Sequence, residues 1–254
     1  MQVDSTAGDY RTVAARLLPA ARGLVERCAP EAGQRVVDVA AGSGNVALLC
    51  RARRADVVAV DREPAQLRLG RTAGDGIGWV VGDAAALPLR DDSADQVLST
   101  FGTIFAPDPV VAVDEAARVC RRGGVLGLAT WSDHHLQRAQ YDVMSAVLPE
   151  LRGGHDPLAT WGTEAAVAER LEPVAADVTV ERGVLTRTYA SLDAWWDDRS
   201  RTAPPVVTAR AHLDDAAFAD LGARLRTAVR PFARPVDGGL ELDDAYLLVV
   251  ARLL

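Results

Sequence analysis

A chain of 254 residues with 28 basic residues, every one an arginine, against 35 acidic ones carries a formal charge of −7; it can bury one large α/β core and lacks the basic surplus of a nucleic-acid-binding face. Three widely spaced cysteines, Cys28, Cys50 and Cys120, suggest neither a disulfide framework nor a zinc cluster, so no metal is expected and the expected compartment is a reducing cytoplasm. The N-terminal stretch lacks the basic and apolar regions of a signal peptide, and no apolar run approaches a membrane span, so no membrane partner is expected.

An apolar stripe through Val13, Leu17, Leu18, Leu24 and Val25 predicts an N-terminal helical segment, bent near Pro19. A first strand follows over 35–40, a helix over 44–53 and a second strand over 56–61. Glu63-Pro64 opens another helix with proline in its first turn. The third and fourth strands fall at 77–83 and 95–100, a helix at 107–120 stops at Arg121-Arg-Gly-Gly124, and a fifth strand covers 125–131. Continuous apolar strands separated by helices predict a parallel sheet covered on both faces. Beyond Trp131, helices over 132–148 and 163–171 precede an alternating run over 178–189, read as a sixth strand. A mostly helical insertion follows, placed to act as a lid, and Tyr246 to Arg252 closes the chain as a final strand. The whole reads as a single domain, 1–254, with a core at 30–131 and recognition or lid segments at 1–29 and about 190–240.

Open parallel sheets bind ligands beyond the carboxyl ends of their strands. Standing at those ends are Asp38 with the turn Ala40-Ala-Gly-Ser-Gly44, then Asp61, Gly82-Asp83-Ala84 and Ser99-Thr-Phe-Gly102. From Gly42 the letters G-S-G-N-V-A fit a dinucleotide fingerprint, but three carboxylates around one crevice disfavour a pyrophosphate, and a triphosphate loop would need a lysine that the chain lacks. A nucleoside bearing a positive charge suits such a crevice. Asp61 can accept both ribose hydroxyls, the glycines allow close backbone approach, Asp83 can accept from an adenine amino group, and backbone N–H groups at the loop can meet a carboxylate. The ligand with all these parts is S-adenosylmethionine, whose product after methyl loss is S-adenosylhomocysteine.

Val36-Val-Asp-Val-Ala-Ala-Gly-Ser-Gly-Asn45, Asp61, Gly82-Asp-Ala-Ala-Ala-Leu-Pro-Leu89, Asp91-Asp-Ser-Ala-Asp-Gln-Val-Leu98 and Arg121-Arg-Gly-Gly-Val125 resemble, in order, the motifs of class I S-adenosylmethionine-dependent methyltransferases. The similarity is greatest to the ubiquinone/menaquinone-biosynthesis-like small-molecule branch, where Phe101-Gly-Thr-Ile-Phe-Ala-Pro-Asp108 is also familiar. It runs from about Arg35 to Trp131 and departs at Ala40, where that family often has glycine. The resemblance implies a Rossmann-like α/β fold with a seven-stranded mixed sheet, its last strand antiparallel and helices on both faces. It also implies cofactor contacts at Asp38, Gly42, Gly44, Asp61, Asp83 and the fourth strand's end. Together with their neighbours, the candidate cofactor residues are Asp38, Ala40, Gly42, Ser43, Gly44, Asn45, Asp61, Arg62, Gly82, Asp83, Ala84, Ser99, Thr100 and Phe101.

Methyl transfer from a sulfonium is an in-line displacement, so alignment can supply most of the acceleration and a base is optional. For an oxygen acceptor, His134 or His135, just beyond the fifth strand, is the candidate base, against the alternative that both lie on an exposed first helical turn. His155 and His212 rank lower, since neither stands at a strand end. Adjacent Trp195 and Trp196 cannot share a helix face, so one is core and the other lines an aromatic acceptor pocket or is core as well. Tyr10 can close over the cofactor or simply pack with its helix, and Phe105 completes the acceptor candidates. The expected activity is methyl transfer to a small acceptor, plausibly a specialised metabolite, with oxygen favoured over nitrogen or carbon and with either a monomer or a homodimer compatible. The rivals are a nicotinamide-dependent oxidoreductase, an enzyme using the sulfonium charge to steer a cyclisation, and a non-catalytic cofactor-binding module.

Overall fold

Apolar runs rich in valine lay down the centre of the sheet. In the computed structural model, which describes residues 10–148 and 156–254, β1 (Arg35–Val39) and β2 (Asp56–Asp61) are buried along nearly their whole length, as interior parallel strands must be. They stand beside β3 (Ile77–Val81), β4 (Ala94–Thr100) and β5 (Cys120–Trp131), all parallel to one another. The chain then adds β6 (Ala175–Tyr189), β7 (Arg234–Val236) and β8 (Gly239–Leu253). The order is β3-β2-β1-β4-β5-β8-β6, with β8 antiparallel to both neighbours and β7 hairpinned onto β8.

The mixed sheet and its late antiparallel strand match expectation; β7 makes eight strands where seven were expected. Both late strands are longer than their apolar patterns indicated. Glu241, Asp243 and Asp244 interrupt the apolar reading of β8, and its alternation is recovered only by pairing along the whole of β6.

On one face α1 (Tyr10–Cys28) and α2 (Asn45–Ala52) bury Leu24, Val25, Val46 and Ala47 against the sheet. Pro19 lies within α1, which continues through it as one helix. At the sheet's far edge, α3 (Pro64–Arg71) begins with proline in its first turn, as Glu63-Pro64 implied. The other face is covered by α4 (Pro109–Val119), α6 (Pro157–Trp161) and α7 (Glu164–Leu171) through Val113, Trp161, Val167 and Leu171. A third cluster joins α5 (His135–Val147), α8 (Leu192–Thr202), α9 (Pro204–His212) and α10 (Asp215–Val229), with Leu242 of β8 as its anchor to the sheet. Side chains cap several of these helices: Ser191 accepts from the Ala194 N–H, Asp214 from Ala217 and Asp108 from Val110. Among the described residues no helix is long and apolar enough to cross a membrane.

Candidate active site

The turn after β1 holds three residues in left-handed conformation: Ala40 at φ 53°, Gly42 at φ 56° and Gly44 at φ 87°. Glycine adopts this region without steric penalty, whereas alanine there is strained, a physical reason for a glycine at position 40 in the family pattern. A side chain at Gly42 would overlap the Tyr10 hydroxyl, and one at Gly44 would overlap the Trp79 ring, which also lies against Gly70 of α3.

Two carboxylates hold the turn in place. Asp61, at the end of β2, accepts from the Gly42 N–H through Oδ2 at 2.7 Å and from the Glu63 N–H through Oδ1 at 2.9 Å. Asp38, at 1 % exposure, accepts from the Ala47 N–H at 2.9 Å in the first turn of α2. Asn45 donates to the Ala14 carbonyl at 2.7 Å and thereby fastens α1 over the same turn.

These contacts bury two acidic side chains around the turn. Burial pushes the Asp38 carboxyl up to about 8, with the charge of Asp61 adding to the rise and the Ala47 hydrogen bond opposing it. Tyr10 is pushed up to about 12 by burial first, then by Asp61 and Asp38. Each shift is one that a neighbouring cation would relieve and a diphosphate would aggravate.

A family model described as a methyltransferase domain matches residues 37–128. The Mycobacterium tuberculosis protein Rv1405c is 33 % identical over 252 residues, covering 96 % of this chain and 91 % of its own. A demethylmenaquinone methyltransferase of Clavibacter sepedonicus is 40 % identical over 129 residues, covering 48 % of this chain and 53 % of its own. The chain belongs to the class I S-adenosylmethionine-dependent methyltransferases, of the ubiquinone/menaquinone-biosynthesis-like kind. Its cofactor is S-adenosylmethionine. In fold, the methyltransferase is similar to the YcgJ protein of Bacillus subtilis, with a TM-score of 0.62 at 17 % identity, covering 92 % of this chain and 97 % of that one. It is also similar to a Haemonchus contortus phosphoethanolamine N-methyltransferase solved with S-adenosylhomocysteine, with a TM-score of 0.59 at 15 % identity, covering 92 % and 52 %.

Around the turn of this methyltransferase, Asp38, Ala40, Gly42, Ser43, Gly44, Asn45 and Asp61 come together as the sequence anticipated, and both Asp61 oxygens already accept backbone N–H groups. Each retains a further lone pair for a ribose hydroxyl. Gly82 packs against Pro88 and Val60 at the end of β3, with Ala84 half-buried beside it. Asp83 is exposed and accepts from the Ala85 N–H at 2.9 Å, the turn-capping alternative for this residue. Arg62 is exposed and only 3.9 Å from Glu63.

Two strand-four candidates need correction. Phe101, at φ 58°, turns its ring into the core, stacked 4.0 Å from Trp131 and edge-on to Tyr246, while its N–H bonds the Ala129 carbonyl. The ring is therefore core, at 6 % exposure. Ser99 is 1 % exposed and its hydroxyl accepts from the Thr103 N–H at 3.4 Å, so it closes the turn after β4; Thr100 remains half-buried at the strand's end.

Of the acceptor candidates, Phe105 is 55 % exposed beyond β4. Trp195, at 2 % exposure, is core of the helical layer and leaves the acceptor set, because a side chain enclosed by that layer presents no surface to a ligand. Trp196 packs on Phe218 and Gly222 of α10, with Arg226 above its ring. His134 immediately precedes α5 without a side-chain capping bond and His135 is its first residue; both are exposed, with ring centroids 5.2 Å apart and His135 facing Phe232. His212, at the end of α9, bonds the Thr208 carbonyl at 2.8 Å, and His155 lies outside the described residues.

Sequence reasoning missed Trp79 and an arginine cluster on β6 and α8. The first had no local signal, since its contacts with Gly44 and Gly70 join separate elements. The second was signalled by Arg187 and Tyr189, which share the strand face of the buried Leu185.

Proposed function

We propose that the methyltransferase seats S-adenosylmethionine against the glycine turn and transfers its methyl to a small-molecule acceptor, an oxygen by preference, beneath α1 and the layer of α8 to α10. One observation carries this reading. The buried Asp61 carboxylate accepts from the Gly42 N–H and the buried Asp38 from the Ala47 N–H, with the Tyr10 phenol against the Gly42 backbone, a setting that favours a cationic nucleoside over a phosphate.

The residues present fit that cofactor, which when bound supplies an electrophilic methyl on a positively charged sulfur. Asp61 is suited to accept from the ribose hydroxyls, and Asp38, whose ionisation a bound cation favours, to hold the start of α2 through the Ala47 N–H. The left-handed glycines allow the ligand to approach the backbone closely. Tyr10, riding on α1, is suited to exclude water, and Phe105 offers an apolar surface at the strand-four end. For an oxygen acceptor, His134 or His135 can take the proton as the new O–C bond forms and the S–C bond breaks, its electron pair remaining on sulfur.

The test begins with calorimetric titration of S-adenosylmethionine and of NADH; binding of NADH alone would overturn the assignment. Methyl-labelled cofactor is then offered with phenol, amine and carbon-acid acceptors, and labelled product must accompany S-adenosylhomocysteine. The pair His134→Ala and His135→Ala decides the base. A fall in turnover of about 10² to 10⁴ with unchanged cofactor affinity supports it, and unchanged turnover assigns the rate to alignment alone.

A further inference from the structure

β6 and β8 outrun the rest of the sheet. Trp131, the last residue of β5, pairs with Tyr246, which in turn pairs with Gly183, so residues 184–189 and 240–245 overhang the carboxyl edge of β5. The chain itself fills one face of this overhang: Leu185 is buried, Arg187 pairs with Asp244, and Arg16 of α1 makes a bidentate pair with Asp198 of α8 beside Tyr189. The other face carries Val184, Thr186 and Thr188, all exposed, with Val184 at 53 %.

β6 is also an edge strand of the sheet. Among the described residues β8 is the one strand that pairs with it, so the N–H and C=O groups along the outer side of a 15-residue strand have no strand partner. Natural sheets blunt such edges with short strands, proline, bulges, charges or covering side chains. The opposite edge, β3, does so: it has 5 residues, and Arg71 donates to the Trp79 carbonyl at 3.0 Å. β6 contains no proline and no left-handed residue, and its one register shift lies at its start, between Ala175 and Asp177. Its exposed charges Glu181 and Arg182 are answered within the chain by Arg27 and Glu164.

We infer that β6 pairs with β6 of a second copy of the chain about Val184, joining two sheets into one. A two-fold axis perpendicular to the sheet runs the two strands antiparallel and sets residues of the same face opposite one another. With the axis at Val184, the two Val184 side chains meet, Arg182 faces Thr186 and Val180 faces Thr188, and no like charges are opposed on that face. Thr186 donates to Asp243 of β8 at 2.7 Å, and among the described residues Asp243 and Glu241 share Arg234 as their ion-pair partner. Arg182 of the second copy, lying beside Thr186, is thus directed toward two carboxylates served by one arginine. Moving the axis to Arg182 would oppose two arginines, moving it to Gly183 would set Arg182 on Val184, and moving it to Leu185 would separate the two valines, so charge and apolar contact select the first register.

Analytical ultracentrifugation of the full chain should give twice the chain mass. Val184→Glu places two carboxylates at the axis and should raise the dimer dissociation constant at least about tenfold, with an unchanged circular dichroism spectrum because Val184 is exposed in the single chain. Val184→Cys reads the register. Opposed residues at the axis lie about 4.5–5.5 Å apart between Cα atoms, within disulfide reach, so diamide should take two hydrogen atoms from the paired thiols, becoming the hydrazine and leaving a covalent dimer. Thr188→Cys, far along the strand from its own counterpart, should stay uncross-linked, and Cys28, Cys50 and Cys120 are buried and give no background. Should Val184→Glu fail to fold, the two cysteine variants decide. A monomeric wild type would leave the edge to a different protein and overturn the proposal, as would a dimer that is indifferent to Val184→Glu or is cross-linked as readily through Thr188→Cys.

Discussion

The glycine turn and the β6–β8 overhang both gather charged side chains where water is scarce, by different construction. In the turn, Asp38 and Asp61 belong to strands paired with one another, and their partners are backbone N–H groups within a few residues or one strand away. In the overhang, Arg16, Arg187, Asp198 and Asp244 come from four elements spread along the chain, and their contacts are between side chains. The difference matters for evolution of function. Backbone partners tolerate little change in the chain that carries them. Side-chain partners can be exchanged one by one.

The sharpest way to separate the two regions is Gly42→Val. A branched side chain at φ 56° is strained and would also collide with Tyr10, so cofactor affinity should fall on the order of 100-fold. Calorimetry with S-adenosylhomocysteine checks it, and the Arg187–Asp244 pair of the overhang should be untouched. Asp61→Ala comes next. Losing the acceptor for two backbone N–H groups should weaken cofactor binding by about 1.5–3 kcal/mol. Unchanged cofactor affinity would remove Asp61 from the site.

A pH titration addresses the sign of the charge. The carboxyl of Asp38 is raised from 3.8 to about 8 in the folded protein, so its contribution to stability is fully present below the unfolded value and is lost as pH rises through about 8. A bound cation favours the ionised form. Affinity for S-adenosylmethionine should therefore rise with pH up to about 8, by at most about tenfold per unit, and Asp38→Asn should flatten both profiles. The smallest expected effect is at Ala40. Replacing it with glycine relieves the left-handed strain but loosens the unfolded chain, so Ala40→Gly should shift stability in urea by less than about 1 kcal/mol; a larger loss would mean that the alanine methyl packing on Gly102 matters more than its backbone strain.

How far the molecule could be read without coordinates follows the same division. β1, β2 and the turn were legible because a valine run ending in Asp38 or Asp61 is a local pattern. Phe101 was misplaced because its left-handed φ reverses the direction expected from strand alternation. Trp195 was offered to the acceptor because a tryptophan pair reads the same whether it lines a pocket or fills a core. The length of β8 was hidden because Asp244, a charge on the buried face, looks like a strand end until Arg187 is set beside it.

The linear order of residues by itself determined the alternating α/β core, the acidic strand ends and the family, since each depends on contacts within one strand-turn-helix unit. Only tertiary structure decided that Tyr10 lies on the Gly42 backbone, that Trp79 packs on Gly44, and that Arg187 of β6 pairs with Asp244 of β8. These last features are set by which elements bury against one another, and hydrophobic burial, being non-directional, leaves no local mark of its partner.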